Sequence, residues 1–170
     1  GTSAWHDWRN GVDLKDGMPR IPGTMAAIIA GCSVRQITPN QLWMELTGRK
    51  PAPEPSEYLK KLFAHGHRME PIARARYINL SFNRVQEVCV QHPLHPWAGA
   101  SLDGLTASGD IITEIKNPIS QRIHNLAKAG TVPDYYVPQC HWQMLCTPAA
   151  KETHYFSHFP EDEDGQRDAM

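Results

Sequence analysis

The sequence predicts an α/β (α+β) domain with a central mixed β-sheet flanked by helices. Three observations carry this. Helical apolar spacing dominates the first half, a hairpin pattern spans Trp97 to Pro118, and two helical stretches separate that hairpin from an aromatic closing strand. At 170 residues the chain fits one domain, residues 1–170, long enough to bury a core without disulfides or zinc. No apolar run approaches bilayer length, and the first residues lack a basic-then-apolar signal, so no membrane partner is expected.

Ala4 to Asn10 places Trp5, Trp8 and Arg9 on a short helix, with the tryptophans packing inward. Gly11 to Pro22 reads as an exposed loop, and Gly23-Thr24 as the cap of a small apolar helix over Met25 to Ala30, closed by Gly31. Such a helix start could hold an anion, because free backbone N–H groups point there; simple capping explains the same residues. Thr38-Pro39 starts another helix, running through Leu42, Trp43 and Leu46 to Gly48. After a proline-rich linker, Pro51 to Pro55, a long helix from Ser56 carries Leu59, Leu62, Met69, Ala73 and Tyr77, interrupted at Gly66 and Pro71. Glu70 lies on this helix among apolar neighbours.

Phe82 to His92 reads as a strand. In the hairpin, the first arm ends at Ser101-Leu102-Asp103-Gly104, with Gly104 able to turn the chain, and Thr106 to Gly109 form the turn. The second arm, Asp110 to Lys116, puts Ile112, Glu114 and Lys116 on one face and Ile111, Thr113 and Ile115 on the other. Ile119 to Ala129 reads as a helix stopped by Gly130, Pro133 opens a further helix over Asp134 to Leu145, and Thr153 to Phe159 is the last strand.

Charge gives a divided signal. The formal net charge of −1 lacks the basic balance usual in nucleic-acid binders. The acidic tail, 161–170, contributes −4, however, so the rest of the chain carries +3, with Lys50, Lys60, Lys61, Arg68, Arg74 and Arg76 available to phosphates. Cys32, Cys89, Cys140 and Cys146 form no CxxC pair and are expected as reduced, buried thiols of a cytoplasmic protein. The nine histidines are scattered without cysteine partners at finger-like spacing, so structural zinc is not expected.

The hairpin concentrates the chemistry. Antiparallel pairing can bring Asp103 beside Glu114 and Lys116, giving two hard carboxylates and an ammonium. That set suits a divalent-metal site for phosphodiester cleavage, with Mg²⁺ or Mn²⁺ on Asp103, Glu114 and the Ile115 carbonyl and Lys116 acting on the attacking water. An exposed hairpin with an ordinary Glu/Lys pair would show the same spacing, so the flanking segments must decide.

Asp103 followed by Glu114-Ile115-Lys116 resembles the motif of the PD-(D/E)xK nuclease superfamily. The flanks are similar to one branch, the phage lambda exonuclease and YqaJ-type viral recombinase family. Trp5-His6-Asp7-Trp8-Arg9 matches its opening helix, Gly23-Thr24-Met25-Ala26-Ala27 its second helix start, and Leu42-Trp43 through Thr47-Gly48 its Leu-Trp-x-x-x-Thr-Gly segment. Gly66, Glu70, Ala73 and Tyr77 fit its long helix, and Gln139 with Gln143 the helix after the hairpin. The resemblance covers residues 4–160.

It implies a restriction-endonuclease-like core that degrades duplex DNA from the 5′ end, leaving 3′ single strands for homologous recombination by strand annealing. It implies two Mg²⁺ ions, Mn²⁺ substituting, with Glu70 helping to hold the second, Gln139 orienting Lys116 or the substrate, and a 5′-phosphate pocket for which Arg9, Thr24 and Ser101 are candidates. Double-stranded DNA ends, a homotrimeric ring and a single-strand annealing protein are the implied partners, in the cytoplasm of a bacterial or phage-infected cell. Two other readings remain: a structure-specific or restriction-like endonuclease on the same core, and a catalytically silent DNA-binding module.

Overall fold

The computed structural model describes residues 2–14 and 19–159; the acidic tail lies outside the described residues. The chain forms two compact units. The first comprises the chain up to Pro53 with Cys89–Ser101 and Asp134–Pro148; the second comprises Glu54–Val88, Leu102–Pro133 and the chain from Ala149. The strands form a mixed sheet, as expected, ordered β1-β3-β4-β5 with β2 also paired to β3.

The second unit begins with α4, Glu57–Ser81, capped by the Ser56 hydroxyl on the Leu59 N–H. This helix runs unbroken through both expected interruptions. Met69, Ala73 and Tyr77 recur every fourth residue and form its buried face. Pro71 and His67 are exposed on the far side, so the carbonyl that loses its bond to Pro71 is open to water. The helix ends at Phe82, which is left-handed at φ 60° and exposed, and this delays β2 to Val85–Gln91.

β3, Ala98–Thr106, and β4, Ile111–Lys116, are the expected hairpin, joined where Gly109 takes φ +76° and Asp110 accepts from the Thr106 and Ser108 hydroxyls. β4 also pairs in parallel with β5, Glu152–Ser157, and is therefore interior to the sheet, with Ile112 through Ile115 all buried. Gly104 does not turn the chain. It lies inside β3, opposite Thr113, where a Cβ would meet Val85 Cγ2 at 2.7 Å. Ala73, Tyr77, Val85, Ile115 and Phe156 form the core on this face, and α5, Gln121–Lys128, packs along β5.

In the first unit α1, Ser3–Arg9, is helical as expected, but Trp5 and Trp8 are only partly buried. Of the expected exposed loop, Gly11 to Pro22, Val12 and Asp13 are exposed and residues 15–18 lie outside the described residues, but the end of the stretch is not exposed. Arg20 is 1% exposed, Pro22 is buried, and Ile21–Pro22 form a short strand, β1, parallel to β3 at Ala98 and Gly99. Arg20 makes the difference: its guanidinium grips Asp13 through two 2.6 Å bonds, donates to Gln91 at 2.8 Å and to the Trp8 carbonyl, and lies over the Trp8 ring.

Gly23–Met25 form a 3-10 turn leading into α2, Ala26–Ile29, and the hydroxyl of Thr24 caps neither. α3, Pro39–Leu46, carries the expected Thr38 cap, a complete capping box with Gln41. α6 begins at Val137, not beside Pro133, with Pro138 in its first turn, and runs to Cys146. It packs on the 3-10 turn and α2. The four cysteines are unpaired, but only Cys146 is fully buried and Cys89 is exposed.

Candidate active site

Strand register builds the centre of the site. Gly104 faces Thr113 and Leu105 faces Ile112, so one step further along the ladder Asp103 faces Glu114. Alternation puts Gly104, Thr113 and Ile115 on the core face and Asp103, Glu114 and Lys116 on the other. The Lys116 ammonium is ion-paired with the Glu114 carboxylate, which is 1% exposed. Asp103 Oδ2 accepts the Ile115 N–H at 2.7 Å, clamping the carboxylate to the neighbouring strand.

A carboxyl group beside another carboxylate and away from water resists ionisation. Burial pushes the Asp103 carboxyl well above the usual carboxylate range, and the Glu114 charge pushes the same way against the pull of Lys116 and the Ile115 N–H. Glu70, on α4, is also raised, by burial first, with Arg74 opposing. Arg74 donates to Glu70 Oε1 at 2.6 Å and to the Asp103 carbonyl at 2.6 Å, which ties α4 to the hairpin. Glu70, Asp103, Glu114, Ile115 and Lys116 are thus gathered in the second unit.

This donor set fits a hard divalent cation. Among the described residues no three His, Cys, Asp or Glu side chains form a ready-made metal cluster, and Glu70 is paired with Arg74. Mg²⁺ characteristically takes one or two protein carboxylates and fills its remaining positions with water and phosphate oxygens. Asp103 and Glu114, with the Ile115 carbonyl, meet that description.

The other predicted residues belong to the first unit. Arg9 lies over the Trp5 ring, 5.1 Å from its centroid, and the Trp5 indole N–H donates to Ser101 Oγ at 2.9 Å, so Trp5 is a common neighbour of Arg9 and Ser101. Partial burial lowers the pKa of Arg9. Thr24 is exposed in the 3-10 turn. Gln139 lies on α6 beside that turn, its Cγ 3.4 Å from where a Gly23 Cβ would stand. Sequence reasoning offered Arg74 to phosphates and did not pair it with Glu70 and the Asp103 carbonyl, and it missed Arg20; the signal for Arg74 was its position four residues after Glu70, one helical turn along the same face.

The family model for the YqaJ-like viral recombinase domain matches residues 4–150. The chain belongs to this family. Among solved structures it is similar to an alkaline exonuclease, LHK-Exo, from Laribacter hongkongensis, at 26% identity and TM-score 0.73, covering 98% of this chain and 79% of that one. The same enzyme in complex with dAMP matches at 26% identity and TM-score 0.74, covering 99% and 80%. No curated protein matches. In the YqaJ-like family member described here, no helix among the described residues is long and apolar enough to cross a membrane.

Proposed function

We propose that this YqaJ-like protein is a Mg²⁺-dependent nuclease of the recombination family that degrades double-stranded DNA 5′→3′ and leaves 3′ single-stranded overhangs. The observation that carries the reading is the convergence of Asp103, Glu114 and Lys116 on one face of adjacent strands, with Glu70 joined to them through Arg74. The fold shared with an alkaline exonuclease supports it, and a solved complex of that enzyme with dAMP is in keeping with release of mononucleotides.

Asp103, Glu114 and the Ile115 carbonyl would hold the main ion, and Glu70 a second. Bound Mg²⁺ would polarise the scissile phosphate and lower the pKa of a bound water. Lys116 would orient the attacking water or, after giving up its own proton, take one from it, and its ammonium would offset negative charge as the phosphorus gains an oxygen. Glu114 is buried and Asp103 half-buried, so bulk water screens these charges less than at an open surface. Arg9 and Ser101, linked by Trp5, are the groups for a 5′-terminal phosphate, with Thr24 a further candidate and Gln139 a substrate-orienting one. A trimeric ring around the duplex and an annealing partner belong to the same proposal.

Closed circular duplex separates this reading from an endonuclease on the same core. With Mg²⁺, the 5′-ended portions of linear duplex should be released as acid-soluble nucleotides, leaving single strands, while the circle survives; cutting of the circle would replace the exonuclease reading. Binding of duplex without cleavage in Mg²⁺ or Mn²⁺ would leave only the silent DNA-binding module.

A further inference from the structure

Arg74 touches two of the residues assigned to the metal site and one carboxylate outside it. Its Nε donates to the backbone carbonyl of Asp103 at 2.6 Å, and its Nη2 donates to Glu70 Oε1 at 2.6 Å and to Glu87 Oε2 at 3.3 Å. The guanidinium side chain is 17% exposed, Glu70 26% and Glu87 67%, so the short bond goes to the more buried carboxylate and the long one to a carboxylate at the surface. A guanidinium is a rigid planar fork whose edges bind separately. One edge can therefore stay on the Asp103 carbonyl while the other moves between Glu70 and Glu87.

A carboxylate oxygen that accepts a short bond from a guanidinium is a weaker and more hindered metal ligand than the same oxygen released from it, and binding a cation through both oxygens requires that release. Glu70 Oε1 is held in this way. We propose that Arg74 is a positioning residue that holds Glu70 in reserve and yields it to a second divalent cation by moving its Nη2 hydrogen bond to Glu87, while Nε keeps the Asp103 carbonyl in place. This rests on the Mg²⁺ reading above. The exchange makes the second ion weaker than the first, because it must displace a guanidinium, and it leaves the backbone of the first site undisturbed.

The test is Mn²⁺ binding to the protein without DNA, read from the electron paramagnetic resonance of free Mn²⁺. Arg74→Gln/Glu87→Gln removes one positive and one negative charge together, so the local charge is unchanged while Glu70 is released. The second-site Kd should fall roughly tenfold, the equivalent of one well-placed charged hydrogen bond. Glu87→Ala alone alters an exposed side chain and takes away the acceptor that Arg74 needs, so second-site binding should weaken severalfold. Unchanged second-site affinity in both variants overturns the exchange. In a Mn²⁺-loaded crystal, Nη2 should be on Glu87 and Nε still on Asp103; two ions bound with Arg74 still on Glu70 would also overturn it. If the wild-type protein binds no Mn²⁺ at all, the metal reading itself falls and the exchange with it, an outcome distinct from equal binding by all forms.

Discussion

Gly104→Ala places a methyl group one residue from Asp103, and the structure sets its cost. The new Cβ would stand 2.7 Å from Val85 Cγ2, 2.9 Å from Val85 Cβ and 3.2 Å from Thr113 Cβ. Ordinary contact starts near 3.4 Å, so Val85 must retreat by about 0.7 Å. Neither neighbour has a flexible end to move: both are β-branched with stiff χ1, and both are buried. Overpacking of this kind costs about 1–3 kcal/mol. For a chain of this size each kcal/mol lowers the melting temperature by roughly 2–4 °C. Val85→Ala removes the nearest clashing carbon, so the double variant should be more stable than the sum of the two single effects by about 1 kcal/mol. Urea unfolding of the four proteins measures both quantities. If Gly104→Ala is as stable as wild type, or if the two effects simply add, the close approach of β2 and β3 at this glycine is wrong.

Other predictions follow from the same geometry. Lys116→Ala should lower release of acid-soluble product by at least roughly a hundredfold, the ordinary contribution of a proton-transfer group, with the circular dichroism spectrum unchanged; retained activity would remove Lys116 from the chemistry. Arg9→Ala, or removal of the terminal 5′ phosphate from the substrate, should slow digestion, and the two changes together should slow it no further than either alone. The Arg20 hydrogen bond holds the Asp13 carboxyl below the usual carboxylate range, so its contribution to stability is complete above the unfolded value near pH 4 and is lost as pH falls through the lower folded value. The melting-temperature difference between wild type and Asp13→Asn should accordingly be constant from pH 8 to about pH 5 and shrink below about pH 4.

Local pattern revealed the chemistry because a strand alternates with period two: Glu114 and Lys116 had to share a face, and the turn at Thr106 to Gly109 returned Asp103 to them. Thr38-Pro39 and Ser56 announced their helices for a similar reason, since a cap needs only its next few residues. What stayed hidden depends on distant partners. Gly104 looks like a turn residue until Val85 is beside it. Arg20 looks like a solvated charge in a loop, and only Asp13, Gln91 and the Trp8 ring explain its burial and the short strand that follows it. Pro71 looks like a helix breaker, yet it falls on the exposed side of a helix whose opposite face is fixed by Met69, Ala73 and Tyr77. Arg74 could have been paired with Glu70 from spacing alone, but its bond to the Asp103 carbonyl crosses elements that sequence cannot bring together.

The most direct measurement of the central claim is digestion of a 5′-phosphorylated linear duplex, carrying a label at the 3′ end of one strand, in Mg²⁺ and resolved on a denaturing gel. The labelled strand should shorten from its 5′ end toward about half its length and keep its label as a single strand, with no loss when Mg²⁺ is chelated. Early release of the 3′ label as a mononucleotide, or equal digestion without a divalent ion, would contradict the account.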